Sequence, residues 1–170
     1  MLKVIKGDLF DTDAKYLCHQ CNCVTSRSAH LAYDVFKRYP YADVYSSRKE
    51  TIIKNAISEP EVIWSKDVPG DILIRGNGKD QRYVVALLGQ YYPGFPRYSN
   101  STLDGSVARQ KHFHQALWKL AQVEDLDSVA FPWQIGCGAA GGDWDVYFKM
   151  INNFADYVED KADVSVYCLE

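Results

Sequence analysis

The chain has 170 residues, of which 47% are hydrophobic and 24% charged, so we expect one folded domain over residues 1–170 and not a disordered chain. Lys and Arg number 19 against 22 Asp and Glu, and this net charge of −3 gives no electrostatic reason to bind nucleic acid or an anionic membrane. Any anion that the protein binds must therefore be held by local groups.

The sequence shows no sign of a membrane span or an exported precursor. No apolar run approaches the roughly 20 residues of a membrane helix, and residues 1–10 alternate apolar with charged side chains, unlike a signal peptide. Five cysteines, an odd number, fit free thiols in a reducing compartment better than a set of disulfides. We therefore expect a cytoplasmic protein, or a nuclear one in a eukaryote.

Predicted strands and helices alternate along the chain. Short apolar runs predict strands at residues 1–6, 15–22, 71–75, 82–89, 128–131 and 163–168. Apolar residues at helical spacing predict helices at 28–39, at 41–57 in a weaker pattern, from a cap at Asp104 to 121, and at 143–158. The glycines of 76–78 predict a hairpin whose second strand is central. The alternation predicts the α/β class, with helices on both faces of a mixed sheet in a three-layer α/β/α sandwich.

The strongest local motif is the sequence QIGCGAAGGDW at residues 134–144, called here the glycine loop, between a predicted strand and a predicted helix. A bare backbone lets N–H groups approach an anion, and a helix start adds unpaired donors and the positive end of its dipole. A tight turn needs only one or two glycines, so four glycines with two alanines favour an anion site. Its candidate residues are Gly136, Cys137, Gly138, Ala139, Ala140, Gly141 and Gly142.

The same loop formally matches G-x-G-x-x-G through Gly136, Gly138 and Gly141. That dinucleotide fingerprint belongs at the first strand-to-helix turn of a sheet, whereas only one helix and one strand follow here. The chain also has no Gly-Lys-Ser/Thr of a nucleotide-hydrolase P-loop. The loop therefore indicates a phosphate or diphosphate ligand, and a small NAD-dependent oxidoreductase ranks last among the candidate functions.

The segment CHQCNC at residues 18–23 contains a C-x-x-C pair. A structural zinc site needs a second ligand pair, which the sequence lacks, so we expect buried thiols, no metal and no cofactor. Asn22 differs from its neighbours, because an amide at a strand end can both donate to and accept from a sugar hydroxyl.

Two ionisable residues are predicted beside these loops. His30 follows the polar loop 25–28 at a helix start, where it could donate a proton, bind a phosphate, or be an ordinary surface histidine. Asp143 could cap the next helix, place a carboxylate beside the glycine loop, or do both. The segment YYPGFPRY at 91–98, called here the aromatic loop, could frame a ligand or simply cover the core.

Together, these motifs resemble the macrodomains, α/β/α modules that bind ADP-ribose. Residues 6–9, KGDL, match the Gly-Asp-hydrophobic opening of that family, and residues 20–25, QCNCVT, match its second strand ending in Asn. Residues 135–144 follow the loop IGCGLAGGDW of the branch that includes ADP-ribose 1''-phosphate phosphatases, with only Ala139 in place of leucine. The resemblance covers essentially the full length.

The resemblance implies a role for each matched residue. Asp8 would accept a hydrogen bond from the adenine amino group, and Leu9 would offer a backbone contact. Asn22 would touch the distal ribose, with Thr25 in the same ligand-binding set. The stretch from Gly136 to Gly142 would wrap the diphosphate and the distal ribose.

Two departures from the family pattern leave alternatives open. His30 stands where macrodomains usually place a glycine, so it is either a catalytic or phosphate-binding group or a side chain that narrows the pocket. The Lys and Asp pair of the branch that cleaves ADP-ribose from glutamate is not recognisable, since its aspartate would fall at about Ala140.

We expect a hydrolase that acts at the distal ribose, with Asn22, His30 and Asp143 as catalytic candidates. It would be either an ADP-ribose 1''-phosphate phosphatase or an ADP-ribosyl hydrolase. The alternative is a reader module that binds ADP-ribose without chemistry. The expected partners are accordingly ADP-ribose, ADP-ribose 1''-phosphate or an ADP-ribosylated macromolecule.

Overall fold

The computed structural model describes residues 1–48, 51–53, 61–63, 65–96 and 102–169. The strands in these ranges are β1 (Leu2–Lys6), β2 (Tyr16–Gln20), β3 (Thr51–Ile53), β4 (Glu61–Ile63), β5 (Ile72–Arg75), β6 (Tyr83–Leu87), β7 (Asp127–Pro132) and β8 (Ala162–Cys168). The α-helices in them are α1 (His30–Arg38), α2 (Ser106–Ala121) and α3 (Trp144–Tyr157). No helix in these ranges is long and apolar enough to cross a membrane.

The main sheet has the strand order β1-β8-β7-β2-β6-β5. All neighbours are parallel except β5, which is antiparallel to β6 and is joined to it by the predicted hairpin. Gly76 and Gly78 of that turn have φ of 101° and 73°, a conformation that glycine adopts without steric cost. The mixed sheet is thus confirmed, and the strand predicted as central at 82–89 is an inner strand that lies beside the edge strand β5.

Two hydrophobic cores lie on the two faces of the sheet. On β2, the adjacent residues Leu17 and Cys18 are both fully buried, because successive side chains of a strand point to opposite faces. Cys18 packs in the core that contains α2 and α3, whereas Leu17 packs in the core that contains α1. Helices therefore cover both faces, and the three-layer α/β/α prediction is confirmed.

The cysteine cluster is divided between the two cores. Cys18 lies on the α2 and α3 side, and Cys21 and Cys23 lie on the α1 side. Burial raises the pKa of all three thiols, that of Cys21 to about 12. The described residues contain no group of three His, Cys, Asp or Glu side chains placed to hold a metal ion.

The helix predicted at 41–57 is wrong for the residues that the structure describes. Only a single 3₁₀ turn, Pro40–Ala42, is present, followed by bends and then by β3, which pairs antiparallel with β4. The Asp43 carboxylate accepts from the N–H groups of Tyr45 and Ser46, and such local side-chain bonds compete with a helix. Three β-branched residues, Thr51–Ile53, then favour a strand, and residues 54–57 lie outside the described ranges.

The predicted cap of α2 is also wrong. Gly105 occupies the N-cap position, and Asp104 instead forms a fully buried ion pair with Arg109. The carboxylate takes this place because a buried guanidinium without a counter-charge would cost far more than a missing side-chain cap.

Candidate functional site

A cleft opens where the chain leaves two adjacent strands toward opposite faces of the sheet. β2 and β7 are parallel neighbours, but β2 leads to α1 on one face and β7 leads to α3 on the other. Ligands of open α/β sheets bind at the carboxyl ends of the strands, at such a switch point. The cavity there has a volume of about 340 Å³, within the usual range of small-molecule sites.

The walls of this cleft come from three segments: the β2–α1 connection, the glycine loop and the start of the aromatic loop. Of the predicted ligand-binding and catalytic residues, the cleft brings together Asn22, Thr25, His30, Gly136, Cys137, Gly138, Ala139 and Ala140. Among the described residues that line it, Arg27 carries a positive charge and none is Asp or Glu. The cleft therefore suits a ligand that carries negative charge.

Asn22 shapes the first wall. Its Oδ1 accepts from the N–H groups of Val24 at 2.9 Å and Thr25 at 3.0 Å, and its Nδ2 donates to Thr25 Oγ1 at 3.0 Å. The amide oxygen is thus fully used by the protein, while the second hydrogen of Nδ2 is left for a ligand. Asn22 can donate to a sugar hydroxyl but has no acceptor to offer.

Arg48, which the sequence reasoning missed, holds this wall from behind. Its Nη2 donates to the Asn22 carbonyl at 2.7 Å, and its Nη1 donates to the Thr25 carbonyl at 2.9 Å. Asp67 balances the charge at 2.9 Å, and the guanidinium lies over the Tyr45 ring at 4.4 Å. No local pattern marks Arg48, because its partners in the wall lie 23 and 26 residues away in sequence.

The glycine loop presents a run of free N–H groups. Hydrogen bonds from Gly142 N to Gly136 O and from Gly141 N to Gly138 O, both 3.0 Å, fold the loop into tight turns. The N–H groups of Gly138, Ala139 and Ala140 donate to no acceptor among the described residues. Successive backbone N–H groups in a turn form a concavity that binds anions.

Three of the four glycines are required by the fold itself, more than we expected from the sequence. Gly136 and Gly141 both have φ of 75°, and a Cβ on Gly142 would lie 2.8 Å from the Tyr147 ring. Gly138 has neither constraint, because its φ is not positive and a Cβ there would meet nothing within 4 Å. Gly138 is therefore the one glycine of this loop that neither backbone conformation nor packing within the described residues requires.

His30 begins α1 in a strained conformation. Its φ is 56°, in the left-handed region that glycine adopts most easily, and its side chain is exposed at the edge of the cleft. Ala29 precedes it at the N-cap and supplies no side-chain hydrogen bond. The first N–H groups of α1, beside the imidazole, therefore receive no side-chain cap from the described residues.

Asp143 lies apart from His30. Its Oδ1 caps α3 by accepting from Asp145 N at 3.0 Å. It lines a separate cavity of about 130 Å³ behind the glycine loop, together with Gly141 and Gly142. The structure thus places these three predicted site residues, Gly141, Gly142 and Asp143, outside the main cleft.

Asp8 and Leu9 follow β1, at the far end of the same sheet edge. Asp8 Oδ1 accepts from Phe10 N at 2.9 Å, and the N–H of Leu9 meets no acceptor in the described part of the chain. Neither residue lines the cleft. β1 lies three places from β2 in the sheet, which is about 14 Å at the usual strand spacing. A ligand that reaches both Asp8 and Asn22 must therefore be elongated.

Gly7, like Gly138, has no structural reason to be a glycine. Its φ is not positive, and a Cβ there would meet nothing within 4 Å. Both residues follow the carboxyl ends of parallel strands, β1 and β7. The two bare positions mark the same edge of the sheet along which an elongated ligand would lie.

Aromatic rings frame part of the cleft. Trp133, which the sequence reasoning did not single out, lines the cleft, is 38% exposed and packs against Trp144 at a centroid distance of 4.9 Å. The sequence feature that could have identified Trp133 is its position as an aromatic residue just after a predicted strand. In the aromatic loop, Tyr92 is buried whereas Gly94 lines the cleft, so the loop both covers the core and frames the site; residues 97 and 98 lie outside the described ranges.

Cys137 lines the cleft but is not a reactive thiolate. Its Sγ donates to the Ile135 carbonyl at 3.4 Å, and burial raises its pKa to about 12. Only thiolates are strong nucleophiles. The thiol therefore acts as a neutral part of the wall.

No protein-family model and no curated protein matches the sequence. Among solved structures, a protein of unknown function from Bacteroides thetaiotaomicron is 20% identical, with a TM-score of 0.67 over 98% of this chain and 97% of that one. The macrodomain of Mycobacterium tuberculosis DarG is 17% identical, with a TM-score of 0.63 over 98% and 97%. The Trypanosoma brucei macrodomain in complex with ADP-ribose is 11% identical, with a TM-score of 0.64 over 99% and 64%. The chain has the macrodomain fold, as the motifs predicted.

Proposed function

We propose that the protein binds ADP-ribose, free or as part of a larger substrate, along the carboxyl edge of its sheet. The observation that carries the proposal is the run of free N–H groups at Gly138, Ala139 and Ala140, which opens on a cleft without carboxylates. Two solved neighbours with the same fold, Trypanosoma brucei macrodomains in complex with ADP-ribose and with ADP, support the choice of ligand.

The diphosphate would lie on the glycine loop. Backbone donors fixed by the fold need no reorganisation to meet an anion, and hydrogen bonds to charged groups are the stronger ones. The missing side chain of Gly138 leaves the space for the phosphate oxygens. Arg27 at the cleft adds the positive charge that the net charge of the chain does not supply.

The adenine would lie toward β1. One carboxylate oxygen of Asp8 caps the short turn that follows, which leaves the other oxygen for the adenine amino group. The free N–H of Leu9 would donate to the ring, and Trp133 offers an aromatic face between this end and the cleft. The bare Gly7 lets the ring approach the backbone.

The distal ribose would lie between Asn22 and the start of α1. The remaining hydrogen of Asn22 Nδ2 would donate to a ribose hydroxyl, and the uncapped N–H groups of α1 would face a terminal phosphate. His30 would be the group that moves a proton at the ribose, because Asp143 lies in a different cavity and Cys137 holds its proton. This arrangement supports hydrolysis at the distal ribose, of ADP-ribose 1''-phosphate or of an ADP-ribosyl group.

A reader of ADP-ribosylated macromolecules is the second candidate. The observation that favours it is that His30 is exposed and that no carboxylate among the described residues lines the cleft to activate water. Such a protein would bind the same ligand without turning it over.

Calorimetric titration of the protein with ADP-ribose tests the common part of both candidates. Micromolar binding that Gly138→Val weakens at least tenfold is the expected result, and no binding at millimolar ligand would refute the proposal. Phosphate release from ADP-ribose 1''-phosphate, and release of ADP-ribose from a modified protein, then separate hydrolase from reader. His30→Ala should abolish either activity while binding persists.

A further inference from the structure

Arg109 and Asp104 form a buried ion pair beside the start of α2. Nη2 donates to Oδ2 at 2.7 Å and Nε donates to Oδ1 at 3.1 Å, and the two side chains are 2% and 0% exposed. Two hydrogen bonds to one carboxylate fix the plane of the guanidinium. The pair is held in place because moving either partner would leave the other charge buried and uncompensated.

The other bonds of Arg109 reach two different loops. Nη2 donates to the carbonyls of Tyr92 at 3.1 Å and Phe95 at 3.3 Å, both in the aromatic loop. Nη1 donates to the Gly94 carbonyl at 2.6 Å and to the Ala140 carbonyl of the glycine loop at 3.3 Å. Gly94 and Ala140 both line the cleft. A single nitrogen thus joins the two loops.

A second contact joins the same loops. The ring of Phe95 lies against Gly141, where an added Cβ would collide with ring carbons Cδ1 and Cε1. This ring is 70% exposed, so its own burial does little to hold it there. The bond from Arg109 to the Phe95 carbonyl fixes the backbone that carries the ring.

Arg109 also acts, through Gly141, on the direction of one free N–H group, that of Ala139. The bond from Gly141 N to Gly138 O closes the turn from inside, and Arg109 holds the Ala140 carbonyl from outside. Because peptide units are planar, the Ala140 carbonyl held by Arg109 fixes the N–H of Gly141, and the Gly138 carbonyl that this N–H meets fixes the free N–H of Ala139. A lysine could not replace Arg109 in these contacts, since its ammonium offers three donors on a point charge, whereas the guanidinium offers five donors in a rigid fork.

We propose that Arg109, assisted by the Phe95 ring, is a positioning residue that couples the two loops, so that an anion bound at the glycine loop also orders the aromatic loop. The choice of ligand rests on the proposed function, whereas the coupling itself is a property of the free protein. Arg109 would thereby tie recognition of the diphosphate to the position of the aromatic loop at Tyr92, Gly94 and Phe95.

Hydrogen exchange measured by mass spectrometry on the full chain tests this coupling. The proteins compared are the wild type, Arg109→Lys, and Arg82→Lys as a matched control. Arg82 donates to the carbonyls of Thr12 and Ala14, which do not line the cleft. With saturating ADP-ribose, both loops of the wild type and of the control should be protected. In Arg109→Lys, the glycine loop should stay protected while the aromatic loop loses protection at least tenfold.

Equal protection of both loops in Arg109→Lys would overturn the coupling. If ADP-ribose protects neither loop of the wild type, the proposed ligand is wrong. The coupling is then tested by the exchange rates of the two variants without ligand. Arg109→Lys must exchange faster than Arg82→Lys in both loops, and acceleration in one loop alone overturns the proposal.

If Arg109→Lys does not fold, Phe95→Ala removes the second contact without exposing a charge. It should lower protection of the aromatic loop at least twofold, and unchanged protection would count against the proposal.

Discussion

Arg48 and Asn22 are joined by two hydrogen bonds across 26 residues of sequence, from Nη2 to the Asn22 carbonyl at 2.7 Å and from Nη1 to its Oδ1 at 3.2 Å. The predicted ligand-binding amide of Asn22 is therefore held by an arginine that does not line the cleft. The geometry of the first wall depends on a buried charge, and this dependence can be measured.

Arg48→Met should destabilise the protein by about 1–3 kcal/mol, because it leaves two wall carbonyls without their donor and the partly exposed Asp67 without its partner. Urea unfolding measures this loss. Arg75→Met is the control, because Arg75 is exposed and, among the described residues, donates only to the adjacent Ile74 carbonyl. A stability of Arg48→Met equal to that of the control would mean that Arg48 does not hold the wall.

Gly138→Val should separate ligand binding from folding. A Cβ at this position meets no atom within 4 Å, so we expect the free energy of unfolding to change by no more than about 0.5 kcal/mol, as at an ordinary surface site. The affinity for ADP-ribose should nevertheless fall at least tenfold, because the side chain fills the space of the diphosphate.

Gly136→Ala is the matched variant in the same loop, and we expect it to lose stability more than it loses affinity for ADP-ribose. Its φ of 75° and a Cβ placed 2.6 Å from the Tyr147 ring predict a loss of about 1–3 kcal/mol in stability. Thermal unfolding and calorimetric titration of both variants supply the comparison. Full affinity in a folded Gly138→Val protein would remove the glycine loop from the proposed site.

Local patterns predicted the parts of the site that depend on neighbouring residues. The turns of the glycine loop and the α3 cap at Asp143 bond within a few residues, and both were visible in the sequence, whereas the turn made by the Asn22 side chain was not predicted. The strands of the main sheet were predicted for the same reason, because runs of apolar residues of strand length are a local pattern. The helix wrongly predicted at 41–57 shows the limit of periodicity where Pro40 and the Asp43 turn break the backbone pattern.

Long-range bonds explain what the sequence did not predict. Arg109 reaches the Ala140 carbonyl across 31 residues, and Arg48 reaches Asn22 across 26. A buried arginine has no periodic signature, and Asp104 satisfied the pattern of a helix cap although its partner is Arg109. The separation of Asp143 from His30 into two cavities likewise depends on how the glycine loop folds between them.

His30→Gly and His30→Ala form a pair that separates backbone strain from chemistry. Both variants lose the imidazole, but only glycine adopts the φ of 56° without steric cost. His30→Gly should therefore be more stable than His30→Ala by about 1 kcal/mol in urea unfolding. If His30 moves a proton in the proposed hydrolysis, both variants should lose turnover equally while they still bind ADP-ribose. Turnover that survives in His30→Gly would assign the proton transfer to another group.

His19 should make stability depend on pH between about 6.5 and 4. The ring is 0% exposed, lies edge-on to Phe36 at a centroid distance of 5.4 Å, and contacts the Cys21 thiol at 3.6 Å. Burial lowers its pKa to about 4, from the usual value of about 6.5 in the unfolded chain. The contribution of neutral His19 is therefore complete above pH 6.5, where neither state binds the proton.

As the pH falls below about 6.5, His19 becomes protonated in the unfolded chain but stays neutral in the native state. The free energy of unfolding therefore drops by up to about 1.4 kcal/mol per pH unit until about pH 4. Urea unfolding at pH 7, 6 and 5 measures the slope. His19→Gln should flatten it over this window, whereas His114→Gln, on the exposed face of α2, should keep the wild-type slope. If His19→Gln keeps the wild-type slope, the loss of stability at low pH comes from groups other than His19.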